Sequence, residues 1–123
     1  ASLSKKVHFL GPRKDVASFM KSADLLIHPA REEAAGNIII EALVSGLPSL
    51  VTSEVGFSSE VLKFRSGTVL EGEFNQNRFN ILLEESVSDK NLFYFRSSIS
   101  NLSDNKYFFS RFKFIADFIE ETF

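Results

Sequence analysis

The stretch from Leu25 to Thr52 constrains this chain more than any other. A short apolar run, Leu25-Leu26-Ile27-His28, stops at Pro29; a longer one, Ile38-Ile39-Ile40-Glu41-Ala42-Leu43-Val44, stops at Ser45-Gly46; a third, Leu47-Pro48-Ser49-Leu50-Val51-Thr52, follows at once. The first is short and lacks alternation, as expected of a parallel strand covered on both faces, and the third is read as the next strand. The middle run is read as a buried helix starting at Gly36 or Asn37, despite its three isoleucines. Gly46 stands where a left-handed helix cap belongs, and Pro48 lies just beyond. Strand, helix and strand in that order predict a parallel pair joined by a right-handed crossover.

The flanking segments extend this unit. Val7-His8-Phe9-Leu10 is expected to be a short strand ending at the Gly11-Pro12 turn, and Asp15 to cap a helix carrying Val16, Phe19, Met20 and Ala23 on one face. Gly67-Thr68-Val69-Leu70 is a further strand after a loop that includes Gly56. Three helical stripes follow: Phe79, Leu82, Leu83 and Val87 behind Asn75; then Leu92, Phe95, Ile99 and Leu102; then Phe108, Phe112, Ile115, Ala116 and Ile119. The fold class is therefore α/β: a partial Rossmann-like domain of roughly four short parallel strands flanked by helices, with a helical C-terminal segment. One domain accounts for all 123 residues.

Composition removes several functional classes. A net charge of -2, with 14 basic residues scattered along the chain, gives no footprint for nucleic acid. Without cysteine there are no disulfides, thiolate metal sites or cysteine nucleophiles. No apolar run reaches the roughly 18 residues of a spanning helix, and no signal peptide is evident, so a soluble chain is expected. The 14 phenylalanines are read as core packing. His8 and His28 have no partners at metal-ligand spacing, Ser58-Ser59 and Ser97-Ser98 lack nucleophile-elbow glycines, and Glu84-Glu85 and Glu120-Glu121 read as solvated faces.

The chemistry concentrates between Glu33 and Glu41, eight residues apart around Ala34-Ala35-Gly36-Asn37. One carboxylate precedes a helix and the other lies one to two turns inside it. Small residues let a ligand approach the backbone, where unpaired N–H groups and the helix dipole suit a diphosphate, while carboxylates accept hydrogen bonds from sugar hydroxyls. The same residues also read as a solvated loop acid and a helix-surface charge. Glu41 adds weight to the ligand reading, because a charge in an otherwise apolar helix needs a partner or a task.

Asp24-Leu25-Leu26-Ile27-His28-Pro29 followed by Glu33 to Glu41, Gly46 and Pro48 resembles the Glu-x7-Glu signature of the family 4 retaining glycosyltransferases of the GT-B fold. Gly56 and Glu60 downstream and Phe9-x-Gly11 upstream add to it. Ala34-Ala35-Gly36 after the first glutamate is similar to the lipopolysaccharide-core glucosyltransferases of that family. The resemblance runs from about Val7 to the C-terminus and is strongest over residues 7 to 70.

The resemblance implies that the chain is the C-terminal part of a donor-binding domain, with residues 104–123 as a crossover helix. Glu33, the implied catalytic residue, would meet hydroxyls of the donor sugar, and Glu41 the ribose. The backbone N–H groups around Ala35, Gly36, Asn37 and Ile38 would hold sugar and diphosphate, with Gly11 to Arg13 near the base. It further implies UDP-glucose as donor, no bound metal or other cofactor, and a lipopolysaccharide acceptor held mostly by a separate N-terminal domain. An Arg and a Lys that assist the diphosphate's departure would lie earlier in the donor domain. The expected location is cytoplasmic, with any inner-membrane contact made by the N-terminal domain. GDP-mannose or another UDP-hexose as donor, another GT-B enzyme with longer insertions, and a non-catalytic α/β interaction module remain alternatives.

Overall fold

Three parallel strands in the order β1-β2-β3 form the centre of the chain, in a computed structural model that describes residues 5–31 and 36–102. The strands are β1 (Leu26–His28), β2 (Ser49–Thr52) and β3 (Gly67–Leu70). Leu26 pairs with Ser49 and His28 with Val51; Ser49 in turn pairs with Gly67 and Thr52 with Leu70. The helices are α1 (Val16–Ser22), α2 (Asn37–Val44), α3 (Ser58–Lys63), α4 (Gln76–Ser86) and α5 (Asp89–Ser100).

The period of two along β2 and β3 sorts the helices onto opposite faces. Val51, with Val69 beside it, packs against Ile39 of α2, Val55 and Val61 of α3. Leu50 and Leu70 point the other way and meet Phe79, Leu82 and Leu83 of α4. β2 is buried at every residue, which explains why Leu50 and Val51 are apolar on opposite faces. On the outer side of α2, Met20 of α1 packs on Ala42 and Leu47. α5 seats Ile99 against Ile40 and Leu43, and its Arg96 Nη2 donates to Asp24 Oδ1 at 2.9 Å. Ile39 and Ile40 are fully buried. Each such side chain contributes about 1.5–3 kcal/mol relative to exposure, so tertiary packing outweighs the weak helix propensity of isoleucine.

Helix α2 ends as its sequence predicts. Gly46 adopts φ 76°, Leu47 N–H donates to Ala42 O at 2.8 Å, and Gly46 N–H donates to Leu43 O at 3.1 Å. These are the two bonds of a Schellman cap, and Leu47 packing near Ala42 supplies its hydrophobic contact. Asn75 caps α4 by accepting from Arg78 N–H at 3.0 Å, and Ser88 caps α5 by accepting from Asn91 N–H at 3.3 Å.

Several expectations are corrected. The sheet has three strands among the described residues, not four: Val7 to Leu10 is irregular and exposed, with Phe9 97% accessible, because it has no neighbouring ladder to pair with. His8 accordingly lies outside any strand. β1 is an edge strand with Ile27 exposed, and β2 starts at Ser49, two residues later than expected. On α1 only Met20 is buried, and Val87 ends α4 exposed. The loop containing Gly56 continues into a short helix, α3. Asp15 occupies the N-cap position without capping, because its carboxylate is held by Arg13. The phenylalanines divide, with Phe79 and Phe95 buried but Phe9 and Phe93 exposed. The third stripe and the 104–123 helix lie outside the described residues.

Candidate functional site

Parallel strands place their C-terminal ends at one edge of the sheet, and α2 begins there after β1. Gly36, the N-cap residue, is buried with φ 71° and ψ 44°. A Cβ on it would overlap Val55 Cγ1 and lie 3.7 Å from Gly56 N. Both the left-handed backbone and the close approach of the β2–α3 loop therefore require glycine here. Having no side chain, Gly36 caps nothing, and the α2 first turn presents backbone N–H groups starting with those of Asn37 and Ile38. Ile39 N–H donates to Gly36 O at 3.0 Å.

The sequence-predicted residues fall into three groups. Gly36, Asn37, Ile38 and Glu41 come together on α2: Asn37 is exposed, and the Ile38 side chain packs inward against the Val55 and Met20 clusters, leaving its backbone for a ligand. Glu41 lies one turn on, about 6 Å along the axis from Asn37, and is half-buried rather than enclosed. Gly11 and Arg13 sit on the exposed segment ahead of α1, and no hydrogen bond or ring contact among the described residues joins them to α2. Glu33 and Ala35 lie outside the described residues.

Arg13 is already engaged. Its Nε donates to Asp15 Oδ1 at 2.7 Å, its Nη2 donates to Oδ2 at 3.0 Å, and the guanidinium lies 5.0 Å from the Phe19 ring centroid. The side-chain hydrogen bond holds the Asp15 carboxyl below the usual carboxylate range and raises Arg13 above its ordinary value.

A second feature at the same edge went unseen in the sequence. The loops after the three strands enclose a cleft of about 310 Å³, walled by Ala30 and Arg31 after β1, Thr52 and Glu54 at the end of β2, and Gly72 to Phe74 after β3. Hydrogen bonds fasten the loops together: Thr52 Oγ1 donates to Ala30 O, and Gly72 N–H donates to Ser53 Oγ at 3.1 Å. The Arg31 guanidinium lies 5.9 Å from the Phe74 ring centroid. These residues come from three distant segments, so only their shared position after strand ends marks them in the sequence.

Among the described residues no cluster of three or more His, Cys, Asp or Glu side chains is arranged to hold a metal, and no helix is long and apolar enough to cross a membrane.

Residues 1–103 match the family model described as glycosyl transferases group 1. The chain is 40% identical over 86 residues to the lipopolysaccharide glucosyltransferase WaaG of Escherichia coli (strain K12), covering 70% of this chain and 23% of that protein. It is 30% identical over 73 residues to the D-inositol 3-phosphate glycosyltransferase of Corynebacterium urealyticum, covering 58% of this chain and 17% of the relative. A crystal structure of WaaG, a glycosyltransferase involved in lipopolysaccharide biosynthesis, superposes with a TM-score of 0.78 at 34% identity, over 92% of this chain and 31% of that one. The chain thus spans less than a third of the length of each of these relatives.

Proposed function

The chain belongs to the glycosyl transferases group 1 family, and on that premise we propose that it is the donor-binding portion of a retaining glycosyltransferase that moves glucose from UDP-glucose to a lipopolysaccharide core acceptor. The observation that carries this reading is the head of α2: a buried left-handed glycine opens a first turn of backbone N–H groups at the C-terminal edge of a parallel sheet, with Glu41 one turn behind it. Open parallel sheets take ligands beyond that edge, and a helix N-terminus attracts phosphate oxygens. The similarity to WaaG supports glucose and lipopolysaccharide over other sugars and acceptors.

In this proposal the N–H groups of Asn37 and Ile38 receive the diphosphate and Glu41 accepts hydrogen bonds from the ribose hydroxyls. Glu33 and the backbone at Ala35 and Gly36 hold the sugar, and Gly11 and Arg13 lie toward the base. No metal step forms part of it. Most of the acceptor's contacts, and any contact with the inner membrane from the cytoplasmic side, belong to an N-terminal domain of the whole protein.

Titration of UDP, UDP-glucose and GDP-mannose into the protein that carries this chain tests the reading. Saturable UDP-glucose binding is expected, weakened about 10–100-fold by Glu41→Ala through loss of hydrogen bonds to a charged acceptor. A preference for GDP-mannose would move the donor to another branch of the family. No nucleotide binding at all would leave an α/β interaction module.

A further inference from the structure

We propose that the cleft walled by Arg31, Glu54, Glu73 and Phe74 is a subsite for a neutral sugar ring of the acceptor saccharide. The choice of an acceptor saccharide rests on the glycosyltransferase reading; the chemistry of the cleft does not. Its volume of about 310 Å³ lies at the small end of ligand sites and suits one pyranose ring. Its lining includes one arginine and two glutamates, and none of the three makes an ion pair with another described residue. Opposite charges lining one cleft suit a ligand that both donates and accepts hydrogen bonds. Sugar hydroxyls do both, donating to Glu54 and Glu73 and accepting from Arg31.

Charge narrows the ligand further. With two carboxylates against one guanidinium, the lining is net negative, which disfavours a diphosphate or a phosphorylated sugar. Phe74 fixes one wall: its ring lies 5.5 Å from Phe79 and carries the Arg31 guanidinium. Arg31 and Phe74 thus meet in the lining of the cleft. Position supports a partnership with the α2 head. Glu54 lines the cleft and the next residue, Val55, abuts Gly36, so the two sites share one wall of the β2–α3 loop.

The test is a pair of backbone-amide NMR titrations of the whole protein, one with methyl α-glucopyranoside and one with UDP. The hexoside is expected to shift residues 30–31, 52–54 and 72–74 saturably, to do so equally with UDP saturating, and to bind more tightly than glucose 6-phosphate. Glu54→Gln with Glu73→Gln is expected to weaken the hexoside at least about tenfold while changing UDP affinity less than about twofold. Both side chains are exposed, so the melting temperature serves as a folding control. Hexoside shifts confined to Gly36 and Asn37 and abolished by UDP, no saturable binding, or tighter binding of the phosphorylated sugar would each overturn the proposal. Hexoside binding in the cleft without UDP binding at α2 would instead remove the donor reading and leave the subsite standing.

Discussion

Gly36 and Val55 are packed so closely that Val55 Cγ1 occupies the place a β-carbon on Gly36 would take. Gly46, at the other end of α2, is also left-handed but has open space around its missing β-carbon. The two glycines therefore separate backbone strain from steric overlap. Gly46→Ala is expected to cost about 1–2 kcal/mol through φ alone, whereas Gly36→Ala adds overpacking, for a total of about 3 kcal/mol. Val55→Ala combined with Gly36→Ala should cost less than the sum of the two single changes. Urea denaturation of the four variants gives the comparison, and equal costs for the two glycines would show that the overlap relaxes freely.

The Arg13–Asp15 pair makes a pH prediction with a definite sign. The folded Asp15 carboxyl titrates below its unfolded value, so its contribution is complete above the ordinary carboxylate range near about 3.9 and is lost as pH falls through the lower folded value. Asp15→Asn should lower stability slightly at neutral pH, with the difference vanishing in strong acid and shrinking in 1 M salt, since the pair is exposed. An NMR titration of Asp15 should return to the ordinary range in Arg13→Gln. No change there would mean that another group holds the carboxyl down.

Thr52 is buried, and its hydroxyl donates to the Ala30 carbonyl, joining the ends of β1 and β2. Thr52→Val preserves shape but strips this carbonyl of that donor, and is expected to cost about 1–2 kcal/mol. Thermal unfolding measures the cost. Hydrogen exchange should show faster opening of residues 30–31 than of β2 itself.

These 123 residues by themselves are expected to transfer no sugar. An exposed helix N-terminus supplies about 0.3–2 kcal/mol toward a departing diphosphate, whereas proximity and orientation in a closed site are worth about 7–11 kcal/mol. A glucose-transfer assay on the isolated chain decides the point, and measurable turnover would mean that the cationic groups lie within it.

Much of this architecture was legible because local signals agreed with one another. From Ile38 to Gly46 the apolar run, the glycine and the following proline all pointed to one helix, and the structure supplies the two cap bonds that make it so. Asn75 shows the same agreement at α4. Val7 to Leu10 shows the limit: its residues suit a strand, but a strand exists only when a partner completes its ladder. Asp15 fails for a different reason, since Arg13 two residues earlier competes for the same carboxylate. Gly36 could be found in the sequence because one of its requirements, the left-handed backbone at a helix start, is local. Arg31, Glu54 and Glu73 could not, because only the stacking of three strands brings their loops together.

Left-handed glycines at both ends of α2 also set where length can change. A residue inserted or deleted between Gly36 and Gly46 would rotate Glu41 by about 100° relative to one fixed end, carrying its carboxylate off its present face even if every apolar residue were kept. Ahead of Gly36 and beyond Gly46, added residues leave that angle untouched. The spacing of this helix is thus a mechanical constraint on how the chain can drift, separate from the identity of the residues that fill it.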